Sequence, residues 1–183
     1  ELNSESKSDL NQLIQKCLKK DRNAQQQLYE GFGPLMKVVC RRYLFDTSKI
    51  EEVMNQGFLK VFIHLKSFKN EGSFEGWVRR IMVNTCLNEN RKKNNYYSLD
   101  PFSEDAFFQL KPEAEQINDA DYILRIIDSL PLGYKTIFNL IEIEGFSYEE
   151  TSKEMNISQG ACRTKLSRAK ELLRQKLNKT IAS

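Results

Sequence analysis

The sequence is short of histidine, on which many catalytic and metal sites are built. Its 183 residues include one histidine, His64. A Ser-His-Asp or Cys-His catalytic set would have to be built on that residue, and no neighbouring residue suggests a nucleophile. A zinc site would need a second histidine or a cysteine pair nearby, and neither is present. The four cysteines are Cys17, Cys40, Cys86 and Cys162. None forms a Cys-x-x-Cys pair and each falls in a helical apolar pattern, so they read as reduced core residues. Neither common type of glycine-rich phosphate loop occurs. No apolar run approaches the ~18 residues of a membrane span. Glu1 to Asp9 is polar and lacks the apolar centre of a signal peptide. The expectations are therefore no enzymatic activity, no cofactor, no metal, no membrane insertion and a cytoplasmic location.

What is present suits a helical protein. Hydrophobic residues make up 40% of the chain and charged residues 29%, enough apolar content for a core. No segment alternates as a strand would, and there is no internal repeat. Ser8 is placed to cap a first helix with Leu10, Leu13, Ile14, Cys17 and Leu18 on one side. Asp21 or Asn23 starts a second helix, with Leu28, Tyr29, Phe32, Leu35, Val39 and Tyr43 as its stripe and Gly33-Pro34 as a kink or break. Ser48 and Glu51 have capping-box spacing and open a third helix running to about Lys66. Ser73 caps a fourth, through Trp77 and Ile81 to about Lys93. Further helices are expected over Ala120 to Leu130 and Tyr134 to Ile143, the latter ended by Gly145.

Charge is distributed unevenly beneath a net value of +3. Ser98 to Asp121 carries seven acidic residues against Lys111 alone, with Pro101 and Pro112 as punctuation. It reads as an acidic, poorly ordered linker between two helical domains. From Arg163 to Lys179 the balance reverses, with seven cations against Glu171. That end suits phosphate contact and counterion release, or serves only as a solubilising helix.

Three segments are candidates for function. The first is a helix pair from Ser147 to Leu173. Ser147 and Glu150 form a capping box, Asn156-Ile157 ends that helix and Ser158 caps the next. At ~100° per residue, Cys162, Leu166, Ala169 and Leu173 share one side of the second helix. Arg163, Thr164, Ser167, Arg168 and Glu171 share the other. Arginine and hydroxyl side chains on an outer face can read base edges in a major groove, although an ordinary amphipathic surface helix has the same pattern.

The second segment is the third helix. Its core stripe is Ile50, Val53, Met54, Phe58, Val61 and Leu65, and roughly half a turn away lie Glu52, Asn55, Gln56, Leu59 and Ile63. An apolar strip with a polar rim suits either a docking surface or a central helix buried on both sides. The third segment runs from Phe68 to Trp77, a polar loop with aromatics, and leads into Arg79, Arg80, Asn84, Asn88, Arg91, Lys92 and Lys93. Aromatics, amides and cations together offer stacking, edge contacts and phosphate contacts to an unstacked base. Phe74 and Trp77 also have the spacing of core residues.

These residues carry a resemblance. Glu52 to Phe62, followed by Phe74 to Asn84, is similar to the second-region pattern of bacterial RNA polymerase sigma factors of the extracytoplasmic-function (ECF) group. Leu130-Pro131, Glu144 to Glu150 and Ile157 to Ala169 resemble the group's fourth-region pattern. The resemblance implies an all-α protein of two small bundles, 1–97 and 120–183, joined by an acidic linker, 98–119. It implies that Glu52, Asn55, Gln56 and Leu59 bind core RNA polymerase. It assigns Asn70, Glu71, Gly72, Ser73, Phe74, Asn84 and Asn88 to flipped bases of the minus-ten element, with Arg91 and Lys92 on phosphates. Arg163, Thr164, Ser167 and Arg168 would read the minus-thirty-five element. An anti-sigma factor is an expected further partner. The group's usual Asp, Gln and Glu stand here as Glu52, Asn55 and Gln56, Thr151 and Ser152 replace an apolar-plus-Ala pair, and Asn156 replaces a turn glycine. The alternative is a helix-turn-helix regulator that does not dock on polymerase.

Overall fold

In the computed structural model the described residues form two compact helical units, one within 1–92 and one within 93–183. The structure describes residues 4–44, 46–69, 71–92 and 119–181. Asn70 and nearly all of the expected acidic linker, 98–118, lie outside the described residues.

The first unit begins with α1 (Ser4–Leu18), one turn earlier than Ser8 suggests. Lys20 takes φ +63°, which lets the Lys20 and Asp21 N–H groups return to the Cys17 and Lys16 carbonyl oxygens at 2.9 and 3.2 Å. The Asp21 carboxylate then accepts from the Asn23 and Ala24 N–H groups and opens α2 (Arg22–Tyr43). Pro34 sits inside α2 and does not divide it: its missing N–H removes one bond, but the buried stripe Leu28, Met36, Val39, Cys40 and Tyr43 continues across it. The expected Ser48–Glu51 capping box does not form. Thr47–Lys49 is a single 3-10 turn, and the Asp46 carboxylate caps it by accepting from the Ser48 N–H at 3.1 Å. Helix α3 (Ile50–His64) follows, and a second 3-10 turn, Leu65–Ser67, leads toward α4 (Phe74–Lys92). Ser73 Oγ accepts from the Gly76 N–H at 2.9 Å and starts α4.

Helix α3 packs on both α2 and α4. Val53, Phe58, Val61, Met82, Val83, Cys86 and Leu87 form the centre of the unit. A fully buried side chain of this size contributes roughly 1.5–3 kcal/mol relative to its exposed state. At Gly57 the helices approach so closely that an added Cβ would stand 2.5 Å from Met82 Sδ.

The second unit contains α5 (Asp119–Asp128), α6 (Leu132–Phe138), α7 (Tyr148–Met155) and α8 (Gln159–Ile181). A π-helical segment, Asn139–Ile143, extends α6, and Gly145 at φ +70° ends it. Ile126, Leu130, Ala169, Leu172 and Leu173 form one cluster, with Tyr134 and Phe138 packed against it. The Ser147–Glu150 capping box is complete: Ser147 N–H donates to Glu150 Oε2 at 2.8 Å, and Glu150 N–H donates to Ser147 Oγ at 3.1 Å. Asn156 ends α7 in the left-handed region (φ 53°, ψ 46°), a conformation that asparagine tolerates. Ser158 Oγ then accepts from the Ala161 N–H and opens α8. Thr151 is fully buried, and its hydroxyl has no hydrogen-bond partner among the described residues. The apolar residue of the resembling pattern would carry no such penalty there.

Candidate nucleic-acid and protein interfaces

Helix α8 separates its two faces cleanly. Cys162, Leu166, Ala169 and Leu173 are buried against the second unit. Arg163, Thr164 and Ser167 are exposed, and the Arg168 side chain keeps 32% of its surface. With Glu171, these four residues line one shallow depression. The Arg168 guanidinium is paired with Glu171 Oε2 at 2.8 Å, and the Arg163 guanidinium lies over the Tyr148 ring, 5.1 Å from its centroid. Two planar cations and two hydroxyls on one helix face match what base edges and phosphates offer in a major groove.

The outer face of α3 forms a second surface. Leu59 and Ile63 are 60% and 63% exposed, so this helix is not buried on both sides within its own unit. Glu52 and Asn55 are exposed and Gln56 is half-buried on the same stripe. The rim is already organised. Lys49 Nζ donates to Glu52 Oε2 at 2.6 Å, Gln56 Nε2 to Glu52 Oε1 at 3.2 Å, and the Tyr29 hydroxyl to Asn55 Oδ1 at 3.3 Å. The Lys49 hydrogen bond and charge hold the Glu52 carboxyl below its ordinary range, so it is an anion at neutral pH. The strip is therefore apolar at its end and weakly charged at its start.

The third surface is the start and outer stripe of α4. Glu71, Gly72 and Ser73 are exposed, and Gly72 has φ +98°, a conformation glycine adopts without strain. Asn88, Arg91 and Lys92 are exposed along the helix. Asn84 is half-buried, and its Oδ1 has no hydrogen-bond partner among the described residues. Lys92 pairs with Glu89 at 2.7 Å. Phe74 departs from the expected minus-ten set. It is 4% exposed, stacked with Trp77 at 5.7 Å and edge-on to Phe32 and Phe68. Its ring belongs to an aromatic cluster beneath the loop and offers no face to a base. Trp77 remains half-buried beside it.

The cysteines are buried and free. Cys86 donates to Cys40 across 3.7 Å, and that bond together with burial pushes the Cys86 thiol far up. Burial also raises Cys17 and Cys162. All three are therefore neutral thiols at pH 7. Among the described residues no helix is long and apolar enough to cross a membrane.

Residues 28–96 match the family model described as Sigma-70 region 2, and residues 120–173 match Sigma-70, region 4. The ECF RNA polymerase sigma-E factor of Haemophilus influenzae is 28% identical over 177 residues, covering 90% of this chain and 93% of that one. The Escherichia coli protein of the same name is 27% identical over 186 residues, covering 92% and 94%. A solved structure of the sigma factor RpoE with the anti-sigma factor NepR, from Bartonella quintana, shares the fold at a TM-score of 0.50 and 18% identity, covering 84% of this chain and 96% of that one. The chain belongs to the sigma-70 family of transcription initiation factors. Within that family it is an ECF sigma factor.

Two features of these surfaces are not legible from the pattern of any one helix. The sequence presents Tyr148 only as a neighbour of the capping box, and gives no role to Lys165, whose ammonium lies 5.1 Å from the Tyr134 ring centroid. An aromatic directly after an N-cap, facing the next helix of a helix-turn-helix, is the signal that points to Tyr148.

Proposed function

We propose that the three surfaces divide the work of an alternative sigma factor between them. The α3 strip, Glu52, Asn55, Gln56 and Leu59 continued by Ile63, binds core RNA polymerase. The α4 surface, with Glu71, Gly72, Ser73, Asn84 and Asn88, holds unstacked bases of the minus-ten element, while Arg91 and Lys92 contact phosphates. Arg163, Thr164, Ser167 and Arg168 read the minus-thirty-five element. In this reading the chain comprises a region-two-like domain, 1–97, an acidic linker, 98–119, and a region-four-like domain, 120–183. The polymerase makes the RNA; this chain is not an enzyme, and it supplies promoter choice and helps open the duplex in the cytoplasm. An anti-sigma factor holds it inactive, as the complex of its Bartonella structural relative suggests.

The observation that carries this reading is the exposure of Leu59 and Ile63 on the helix that the region 2 match covers. A regulator that only binds DNA has no use for an apolar strip there, because exposed apolar surface favours association. The test is run-off transcription with purified core polymerase on templates carrying a library of upstream sequences. The reading requires promoter-specific transcripts that are lost, together with the polymerase complex, on Leu59→Glu. DNA binding by a chain that core polymerase ignores at low salt would overturn it.

A further inference from the structure

Resting on the assignment of α8 to sequence reading, we propose that Tyr148 is a positioning residue that sets the base preference of Arg163. The two residues lie on different helices. Tyr148 is the first residue of α7, and its backbone is fixed by the reciprocal Ser147–Glu150 bonds. Arg163 lies on the first turns of α8, with its guanidinium 5.1 Å from the centre of the Tyr148 ring. That separation is within cation–π range. The left-handed Asn156 turn and the Ser158 cap fix how α8 follows α7, so the ring stands at a set place beside the arginine.

The two arginines of the reading face are held differently. Arg168 is paired with the Glu171 carboxylate. Among the described residues no carboxylate pairs with Arg163, and the aromatic face is what it rests on. An aromatic face restrains a guanidinium without using up its N–H donors, because the attraction acts through the plane. All five donors of Arg163 therefore stay available to a base edge or phosphate. A long side chain held in place before binding loses less freedom on binding, and its fork meets one base edge in preference to several. The Tyr148 hydroxyl has no hydrogen-bond partner among the described residues, so the ring makes the contact.

The experiment uses the full chain assembled with core polymerase and a duplex library randomised over the upstream element. Bound sequences are counted for the unaltered chain and for Arg163→Ala, Arg168→Ala, Tyr148→Phe, Tyr148→Leu and Tyr148→Leu with Arg163→Ala. Arg163→Ala identifies the base pair that Arg163 reads by flattening the preference there. Tyr148→Leu is expected to weaken preference at that same pair by about two- to fivefold, the size of an exposed cation–π contact. Tyr148→Phe, which keeps the ring, should retain it, and Tyr148→Leu should change nothing further once Arg163 is gone. Unchanged preference in Tyr148→Leu overturns the proposal. So does an equal loss on all sequences in Tyr148→Phe, which would make the hydroxyl a phosphate contact. If Arg163→Ala itself selects as the unaltered chain does, Arg163 reads no base and this inference falls; if no α8 substitution, Arg168→Ala included, changes the selection, the assignment of α8 fails as well. If only Tyr148→Leu is silent, the assignment of α8 survives.

Discussion

The side-chain amide of Asn90 donates to the Tyr43 carbonyl oxygen at 2.8 Å, tying the last turn of α4 to the last turn of α2. The carbonyl is one of those a helix end leaves without an internal partner. Both residues are buried, so water cannot take the place of the amide. The bond fixes the end of α4 from which Arg91 and Lys92 project. Asn90→Ala should therefore cost about 1–3 kcal/mol in urea unfolding, the penalty for orphaning a buried acceptor. Asn90→Asp should cost more at neutral pH, because it sets a carboxylate against a carbonyl oxygen. A loss below ~0.5 kcal/mol, the size of an ordinary surface change, would show that the bond does not hold α4 in place.

Gly57 on α3 faces Met82 on α4. An added Cβ would stand 2.5 Å from Met82 Sδ and 2.7 Å from Cε. Met82 is fully buried, so its end has little room to swing away. Gly57→Ala should therefore destabilise the chain by about 1–3 kcal/mol, although alanine is the better helix former. Shortening the opposing side chain relieves the clash, so Gly57→Ala with Met82→Ala should lose less than the sum of the single changes. Additive losses in denaturant titration would count against a direct contact.

Local capping chemistry is the most legible part of the fold. Asp21, Ser73, Ser147 and Ser158 cap the helices that their positions in the sequence predict, because a short polar side chain at a helix start has few competing uses. Ser48 does not, because Asp46, two residues earlier, offers a carboxylate to the same turn. Pro34 looks like a break only to a local rule, which ignores the tertiary packing that carries α2 past it. Phe74 is ambiguous in sequence, since a core aromatic and a base platform have the same spacing; the rings of Phe32 and Phe68 decide it. The contact between Tyr148 and Arg163 crosses two helices, and no periodicity within one helix encodes it.

Lys176 is 5% exposed on α8, with its Nζ 3.4 Å from Ser129 Oγ. Burial pushes its pKa down from the ordinary 10.5. Between the lowered folded value and 10.5 the unfolded chain binds more protons than the folded one, so stability rises with pH across that window. Below the window both states are protonated and the desolvation penalty acts in full. Lys176→Met, which keeps the apolar stem, should therefore raise the melting temperature at pH 7. Its advantage should shrink as pH climbs toward 10.5. A melting difference that stays constant across that range would show that the ammonium is not penalised by burial.

Glu171 places an opposite charge on the face of α8 proposed to read DNA. Its Oε2 accepts from Arg168 at 2.8 Å and its Oε1 from Gln175 at 3.0 Å. Any DNA group that engages Arg168 must compete with this carboxylate, and the carboxylate repels phosphates in general. A guanine edge that engages both arms of the guanidinium competes better than a single phosphate oxygen. If that face reads DNA, Glu171 is expected to act against unspecific contact more than against specific contact. Glu171→Gln should raise affinity for duplex of arbitrary sequence more than for the preferred promoter. It should also steepen the dependence of log K on log salt by ~0.9 for each additional phosphate that the variant neutralises. Binding isotherms of the polymerase-assembled chain across a salt series measure both quantities. If affinity for the preferred promoter falls while arbitrary sequence is unaffected, Glu171 is an aligning support for Arg168 and not a counter-charge to be displaced.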